Sequence, residues 1–463
     1  MTLTASEWAE QQWEGVDLGD KRLNQRAVAI GKRMAADPEE SLPKQMQNAS
    51  ELEGVYRLLN NRHVNMADLL KPHCMRTLAA AREQSVVLWV EDTTELDYTR
   101  HPSTTGLGPV GNGKGQGLLL HSTLGILPNS RTVLGLGHVQ AVLREKYLKK
   151  VSGWRGSPES QVWEHSAQAI GAPPENVLWV HVGDRGSDIF EYMAACVDAD
   201  KHFLMRVFHN RKLSWDNGQP QAGQEEAQKL LDYARSLPEY PGSTYTIQLA
   251  ATKKQAARQA CVALAWQKVE VAPPSASPPE IRQHQPLSVW VLRAWEPDAP
   301  AGVEAVEWVL LSSLPILDLK SAQQRVDWYS CRWCCEDFHQ CLKTGCRVER
   351  SQLDDYTDIQ NLLGFAAPIA VRLLQLRQDA RQSPDALATT VIEPLMVEVL
   401  ARKQKLDANT MTVYEFWLLV ARMGGFLGRK GDGHPGWRAI WDGWEYLSTL
   451  TEGARLILEN NTS

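Results

Sequence analysis

The chain has 463 residues, a formal net charge of −6 and eight cysteines. This length allows two or three domains with a large buried core. The acidic balance excludes a protein that binds nucleic acid through its bulk charge, so any basic surface must be local. No uninterrupted apolar run of about eighteen residues and no export signal occur, so we expect a soluble protein that is neither exported nor anchored in a membrane.

Residues 1–70 have the pattern of short helices. Apolar residues recur there at helical spacing, and a neighbouring face carries three arginines, Arg22, Arg26 and Arg33. A capping box of Ser50 and Glu53 predicts the start of a further helix. A basic stripe on a helical module either docks on a DNA backbone or is a solvated helix face, and the sequence leaves both interpretations open.

The first buried strand is predicted at residues 86–90, where Val-Val-Leu-Trp-Val is a continuous apolar run. Glu-Asp-Thr-Thr follows at once, which places Asp92 at the carboxyl end of a central strand. Residues 118–127 and 132–139 are predicted as two further strands joined by a Pro-Asn-Ser turn, which favours three consecutive antiparallel strands. The glycine-rich segment 106–117 has no Walker pattern, and we expect a flexible loop near the substrate.

A second strand of the same buried type, residues 177–182, ends at Asp184. Before it, residues 158–170 are predicted as a helix capped by Ser157. Asp188 directly precedes the next helix and is the better candidate for its cap, which leaves Asp184 without an evident local role. A basic cluster after the following strand either contacts phosphate or is a solvated loop: Arg206, His209, Arg211 and Lys212.

Residues 213–306 are rich in Pro, Gln, Ser and Gly, and their alternating segments predict an inserted, strand-rich subdomain. The main sheet is expected to resume at residues 308–313. Beyond residue 345 the pattern is largely helical. Two aromatic stripes in that region, around Trp417 and Trp444, are typical of a core, with an oligomer interface as the alternative.

Residues 328–343 concentrate reactive side chains on what we predict to be one helix. Ser321 with Gln324 fits a capping box for its start, and Gly345 fits its end. Helical rotation places four polar residues within about 60° of one another on the helix wall. They are Tyr329, Arg332, Glu336 and Lys343. A lone carboxylate between a phenol, a guanidinium and an ammonium suits a site that handles phosphate and metal.

Five of the eight cysteines fall in or beside the same segment, which indicates a reducing compartment. Cys331 and Cys334 form a C-x-x-C pair. A structural zinc site needs a second ligand pair, whereas these cysteines are predicted in mid-helix, so packing is the favoured role and zinc the alternative.

Three carboxylates are candidates for one catalytic site, namely Asp92, Asp184 and Glu336. Two aspartates that follow central strands and a glutamate on a later helix form the ligand set of a two-metal phosphoryl-transfer site. Mg²⁺ prefers such hard oxygen donors, and Mn²⁺ is expected to substitute for it.

These motifs resemble a known family. Val-Glu-Asp-Thr-Thr around Asp92, Gly-Asp-Arg-Gly-Ser-Asp around Asp184 and the Tyr-Arg-Glu-Lys spacing are similar to the DDE transposases of bacterial insertion sequences, specifically the IS-four family. The resemblance implies an α/β fold with an RNase H-like core. It implies a helical DNA-end-binding module over 1–70, a catalytic domain over 71–370 with a β-rich insertion at about 213–306, and a helical dimerisation region over 371–463.

The resemblance also implies cut-and-paste transposition by a cytoplasmic, nucleoid-associated protein. Its partners would be the terminal inverted repeats, target DNA and a second copy of the chain in a synaptic complex. Tyr329, Arg332 and Lys343 would contact DNA phosphates, Trp308 would stack on a flipped base, and Trp333 would pack in the vacated space. The alternative function is a catalytically silent derivative that binds DNA and dimerises or inhibits transposition. The acidic net charge is unusual for this family.

Overall fold

A computed structural model describes residues 5–144, 158–214, 229–249, 258–275, 279–379, 384–429 and 435–460. Over these residues the fold is mixed α/β, with a large mixed sheet that is flanked in the sequence by helical regions. Ser157, the predicted cap of the helix at 158–170, lies outside the described residues.

Within the described residues, the strands join in one sheet with the order β2-β3-β1-β5-β6-β11-β10-β9-β7, while β4 pairs with β3 and β8 with β9. Their bounds are β1 (Val86–Asp97), β2 (Gly108–Val110), β3 (Gly115–Ile126), β4 (Val133–Val142), β5 (Leu178–Gly183), β6 (His202–Arg206), β7 (Leu213–Ser214), β8 (Tyr245–Leu249), β9 (Arg258–Val271), β10 (Leu287–Trp295) and β11 (Glu307–Ser312).

The helices lie mainly before and after the sheet. They are α1 (Ala5–Trp13), α2 (Lys21–Ala36), α3 (Leu42–Gln45), α4 (Ala49–Leu59), α5 (Met66–Arg82), α6 (Pro158–Ile170), α7 (Phe190–Asp198), α8 (Leu230–Ser236), α9 (Pro279–Arg282), α10 (Leu319–Ser330), α11 (Trp333–Gln340), α12 (Tyr356–Asp379), α13 (Ala388–Val391), α14 (Pro394–Gln404), α15 (Val413–Met423) and α16 (Trp437–Asn460).

The centre of the sheet confirms the strand predictions made from apolar runs. β1 pairs in parallel with β5, and β5 pairs in parallel with β6. The side chains of residues 87–90 are fully buried, as expected for a strand that is covered on both faces. On its other edge β1 pairs antiparallel with β3, and β3 with β4, which confirms the three consecutive antiparallel strands.

The glycine-rich segment 106–117 was predicted as a flexible loop, and this prediction was wrong. Gly108–Val110 forms β2, which pairs with the start of β3. Gly117 is required there because a Cβ atom at this position would lie 2.0 Å from the Leu96 carbonyl oxygen. The close approach of two backbones therefore explains this glycine, rather than a phosphate-binding loop.

The strand-rich segment 213–306 extends the central sheet. β11 pairs antiparallel with β6 on one side and with β10 on the other, and β10 in turn pairs with β9. The described strands of this segment are thus continuous with the sheet that carries β1 and β5.

The two terminal helical regions pack against each other and the sheet. Trp13 of α1 is fully buried, and its ring centroid lies 5.5 Å from that of Phe365 in α12. Helix α12 contains a stretch, Tyr356–Leu376, that is long and apolar enough to cross a membrane, but 83% of its most apolar window is buried inside the protein. In the C-terminal region, Trp417 and Trp444 are buried and stacked at 5.1 Å, which confirms the core interpretation of the aromatic stripes.

One helix start differs from its prediction. The predicted capping box of Ser50 and Glu53 was wrong, because α4 begins at Ala49 and Asn48 caps it by accepting a hydrogen bond from the Glu51 amide. Asn is as good an N-cap as Ser. The helix therefore begins after Asn48, two residues before the predicted cap.

Candidate active site

Asp184 directly follows the end of β5, and Asp92 lies within the neighbouring parallel strand β1. The prediction that Asp92 stands at the carboxyl end of its strand was wrong, because β1 continues to Asp97 through its pairing with β3. In the β1–β5 register Glu91 lies opposite Gly183, so the two aspartates occupy the next position on each strand. Burial and the charge of Asp184 raise the pKa of Asp92 to about 7, against the lowering effect of Arg332, and Glu336 adds to the increase. Asp184 and Glu336 therefore both act electrostatically on Asp92.

Asp184 has a local role that the sequence did not reveal. Its carboxylate accepts a 2.7 Å hydrogen bond from the Gly186 amide, and its carbonyl accepts one from the Ser187 hydroxyl. It thereby caps the short 3₁₀ turn Arg185–Ser187. These bonds hold the aspartate in a fixed turn directly after β5.

The prediction that Asp188 caps the following helix was wrong. Helix α7 begins at Phe190, and its N-cap residue Ile189 makes no side-chain capping bond. The buried Asp188 carboxylate instead accepts hydrogen bonds from the Arg211 guanidinium and from the amides of Phe208 and His209. Since a buried carboxylate needs several donors, this long-range role took precedence over the local cap.

The segment predicted as one helix is broken in two. Helix α10 ends at Ser330, α11 begins at Trp333, and a π turn over Cys341–Gly345 contains Lys343. Between α10 and α11 the amides of Cys331 and Arg332 bond to carbonyls three residues back, which tightens the chain. The predicted Ser321–Gln324 box was also wrong.

The start of α10 is capped by Asp318. Its carboxylate accepts a 2.8 Å bond from the Ser321 amide, and the Ser321 hydroxyl bonds in return to the Asp318 backbone. Ser321 is thus the third helical residue of a capping box and not the cap itself.

Arg332 connects two of the candidate carboxylates. Its Nη1 donates to Asp92 Oδ2 at 3.2 Å, and its Nη2 donates to Glu336 Oε1 across one helical turn. Burial opposes the charge of Arg332, but Tyr329, Glu336 and Asp92 outweigh it and raise the pKa of the guanidinium. Arg332 therefore places one positive charge among the acidic residues.

The chemistry of the donors suits a divalent cation. Asp92, Asp184 and Glu336 supply hard carboxylate oxygens. Burial and then repulsion by Asp184 raise the pKa of Asp92, and a cation would oppose both effects. Within the described residues, no three acidic, His or Cys side chains are already gathered closely enough to hold a metal ion. The ion pairs of Arg332 occupy Asp92 and Glu336 in this arrangement.

The cysteines of this region pack in the core. Cys331, Cys334 and Cys335 are buried free thiols, and the Cys335 thiol donates to the Val90 carbonyl at 3.3 Å. Because the part of the chain that the structure describes contains no metal-binding group of Cys or His residues, these contacts support the packing role over the zinc alternative.

The aromatic residues near the site differ in exposure. Tyr329 is buried, with its ring centroid 5.3 Å from that of Trp308 in an edge-on arrangement. Trp333 is 43% exposed and has the Arg332 guanidinium 5.0 Å from its ring. Trp308 is thus half-buried against Tyr329, whereas Trp333 is open to solvent beside Arg332.

The residues of the predicted basic cluster after β6 differ in their exposure and in their partners. Arg206 is half-buried and donates to the Glu307 carbonyl at 3.0 Å. The Arg211 side chain is 8% exposed and is bound to Asp188, so the structure does not present it to a DNA strand. Lys212 is exposed.

Lys343 is half-buried in the π turn. It lies close enough to Asp97 to help lower the pKa of that carboxyl, after the larger effects of Thr99.

The three N-terminal arginines line one groove of about 1200 Å³. Arg22 is exposed and paired with Asp20, whereas Arg33 is paired with Glu51. Arg26 also lines this groove, and the opposite wall comes from α14 and α16. The three arginines therefore share one groove that faces the C-terminal helices, but its lining also includes acidic residues, among them Asp37 and Glu445, so the groove as a whole is not basic.

Two family models match the ends of the chain. The transposase DNA-binding model matches residues 5–64, and the model of the Tn5 transposase dimerisation domain matches residues 368–461. These matches support a Tn5-like transposase. The first match contains α1 to α4 with the three arginines, and the second runs from α12 to α16. The matched domains support DNA and a second copy of the protein as partners, while the three carboxylates lie between the matched segments.

Proposed function

We propose that the protein is a DDE transposase of the IS-four type that excises and inserts its element by metal-dependent cut-and-paste chemistry. The observation that carries the proposal is the β1–β5 register, in which Asp92 and Asp184 occupy the positions after the paired residues Glu91 and Gly183, while Glu336 also acts on Asp92. The matched DNA-binding and dimerisation segments supply the substrate class and the second copy. An RNase H-like core is the fold that we propose for the sheet.

The proposed reaction has four steps, each an in-line attack on phosphorus. Water first cleaves one strand at the element end and leaves a 3′-hydroxyl. That hydroxyl attacks the opposite strand and displaces the flanking DNA, which gives a hairpin; water opens the hairpin, and the 3′-hydroxyl finally attacks target DNA. Asp92, Asp184 and Glu336 would hold two Mg²⁺ or Mn²⁺ ions, which when bound stabilise the charge on the attacking and leaving oxygens.

The residues around the carboxylates would position the DNA. Arg332 would exchange its carboxylate partners for backbone phosphate once cations neutralise Asp92 and Glu336, because a guanidinium binds either group in the same bidentate manner. Tyr329 and Lys343 would add phosphate contacts. Trp308 would stack on the flipped base, and the exposed Trp333 would pack in the gap that the base leaves. Stacking on an aromatic ring contributes about 1–3 kcal/mol per base.

The helices of the matched DNA-binding segment, which carry Arg22, Arg26 and Arg33, would bind the terminal inverted repeat. Arg206 and Lys212 remain candidates for additional phosphate contacts. We leave Arg211 out of the proposed DNA surface because Asp188 holds it. Two copies would join through residues 371–463 in a synaptic complex that then captures target DNA.

The test is cleavage of DNA that carries the element's terminal repeat, with Mg²⁺ and purified protein. Wild type and the control Glu95→Gln, which removes a half-buried carboxylate charge on the same strand as Asp92, should nick the repeat and form hairpins. Asp92→Asn should bind the DNA without cutting it. Binding without cutting by the wild type would instead support the catalytically silent alternative, and equal cutting by Asp92→Asn would refute the assigned site.

A further inference from the structure

A buried polar network lies directly behind the candidate active site, on the opposite face of β1 from Asp92. Its centre is Glu91, which is 1% exposed. The carboxylate accepts hydrogen bonds from His181 Nδ1 at 2.6 Å, from His121 Nε2 at 3.2 Å and from the Tyr192 hydroxyl at 3.2 Å. These donors lie on β5, β3 and α7, so one side chain joins four elements of the fold.

The network continues from Glu91 to the carboxylate of Asp92. The second ring nitrogen of His121, Nδ1, lies 2.9 Å from the Thr93 hydroxyl, and the Thr93 amide donates to Asp92 Oδ1 at 2.8 Å. A neutral imidazole satisfies both contacts of His121, since Nε2 donates to Glu91 and Nδ1 accepts from Thr93. An unbroken line of contacts thus runs from Glu91 through His121 and Thr93 to Asp92.

The same network also fixes the strand that ends at Asp184. His181 lies three residues before Asp184 on β5, and Gly183, the residue opposite Glu91, directly precedes Asp184. A Cβ atom on Gly183 would lie 2.3 Å from the Ser187 hydroxyl, so the turn after β5 is closely packed at this point. The hydrogen bond between Glu91 and His181 therefore links the side chains of β1 and β5 directly before the two aspartates.

Burying a carboxylate costs free energy. Packing alone does not require a charged side chain at this position. We propose that Glu91, acting through His121, Thr93 and His181, is a positioning residue that sets the separation and orientation of Asp92 and Asp184. The inference rests on the proposed function, because it assumes that these two aspartates act together on a cation. Misplacement of a catalytic group by about 1 Å from a remote change can lower a rate by about a hundredfold.

The test uses Glu91→Gln and Thr93→Val, with Thr123→Val as the matched control. Thr123 is fully buried, like His121 two residues before it on β3, and it bonds to Ser166 at 2.6 Å, outside the network. Four quantities are measured for each variant: melting temperature, affinity for terminal-repeat DNA, Mn²⁺ affinity by electron paramagnetic resonance without DNA, and single-turnover nicking rate at varied Mn²⁺.

We expect Glu91→Gln to weaken Mn²⁺ affinity roughly tenfold and to slow nicking roughly 10- to 100-fold, with partial recovery at high Mn²⁺ and unchanged DNA affinity. Thr93→Val should also weaken Mn²⁺ affinity and slow nicking, by smaller factors. Thr123→Val should lower the melting temperature without changing Mn²⁺ affinity, which separates positioning from general destabilisation.

Wild-type Mn²⁺ affinity and nicking rate in both network variants would overturn the inference and leave the proposed function intact. If Glu91→Gln does not fold, Thr93→Val decides, because it removes only the hydroxyl contact to His121. A wild-type protein that neither binds Mn²⁺ nor nicks the repeat would overturn the proposed function, and this inference with it.

Discussion

Arg332 donates a hydrogen bond to Asp92 over a sequence separation of 240 residues, at 3.2 Å. The same guanidinium contacts Glu336, and its side chain is only 12% exposed. Arg332 therefore occupies a place among the carboxylates at which positive charge is needed, and it supplies part of the neutralisation that cations would otherwise provide.

Replacement of this arginine should make the stability of the protein depend on metal. Arg332→Ala leaves the carboxylates of Asp92 and Glu336 without their cation, so the free energy of unfolding should fall by roughly 3 kcal/mol in the absence of metal. Mg²⁺ should restore much of this loss, because an ion that binds only the folded state stabilises it. Urea unfolding with and without Mg²⁺ measures both effects.

The control for this experiment is Arg402→Ala, which removes an exposed arginine paired with Glu398 on α14. Its effect should be below about 1 kcal/mol with or without Mg²⁺. A stability loss in Arg332→Ala that Mg²⁺ does not reduce would show that the guanidinium does not stand in for a cation.

Substitution of the neighbours Arg211 and Lys212 should change the stability of the protein to very different extents. Arg211→Ala leaves the buried Asp188 carboxylate without its guanidinium, and we expect the free energy of unfolding to fall by roughly 3–5 kcal/mol. Lys212→Ala removes an exposed side chain, and its effect should stay within about 0.5 kcal/mol. Urea denaturation compares the two. Similar values for both variants would mean that the Asp188 pair does not stabilise the fold.

An acidic contact between the terminal regions should make stability depend on pH. Glu445 of α16 faces Asp37 at the end of α2, with Glu39 and Asp442 nearby, and burial and the hydrogen bond to Asp37 raise the pKa of Glu445 to about 8. The folded state thus holds a proton that the unfolded state releases near pH 4.3, about the ordinary value for Glu. Stability contributed by this proton is full below that pH and is lost as pH rises to about 8.

The measurement is the free energy of unfolding at about pH 6 and about pH 8 for wild type and Glu445→Gln. One retained proton contributes a slope of about 1.4 kcal/mol per pH unit at most, so the variant should show a flatter dependence. Glu398→Gln, an exposed carboxylate paired with Arg402, should retain the wild-type slope. Equal slopes in wild type and Glu445→Gln would contradict the shared proton.

The strand order around the site was predictable because it depends on local signals. A strand that is buried on both faces appears in the sequence as a continuous apolar run, and two such runs placed Asp92 and Asp184 after the buried parts of β1 and β5, although β1 itself continues to Asp97. The break between α10 and α11 was not predictable in this way. It puts Arg332 where it reaches Asp92, a contact between distant parts of the chain that helical spacing does not contain.

Side-chain roles were harder to predict wherever a long-range partner competed with a local one. Asp188 has the position of a helix cap, yet its carboxylate binds Arg211, 23 residues away. Glu91 belongs to the motif around Asp92, but its partners come from three other elements, so no spacing rule indicates the network. Periodicity describes one element at a time, whereas these roles depend on how the elements pack.

The most direct test of the proposed chemistry compares Glu336→Gln with its neighbour Asp337→Asn in Mg²⁺-dependent cleavage of terminal-repeat DNA. Both variants remove one carboxylate charge from α11, and Glu336 is the candidate metal ligand, paired with Arg332 beside Asp92. We predict that Glu336→Gln binds the DNA as wild type does and nicks it about a hundredfold more slowly or worse, while Asp337→Asn cuts normally. Equal nicking by Glu336→Gln and wild type would contradict the account.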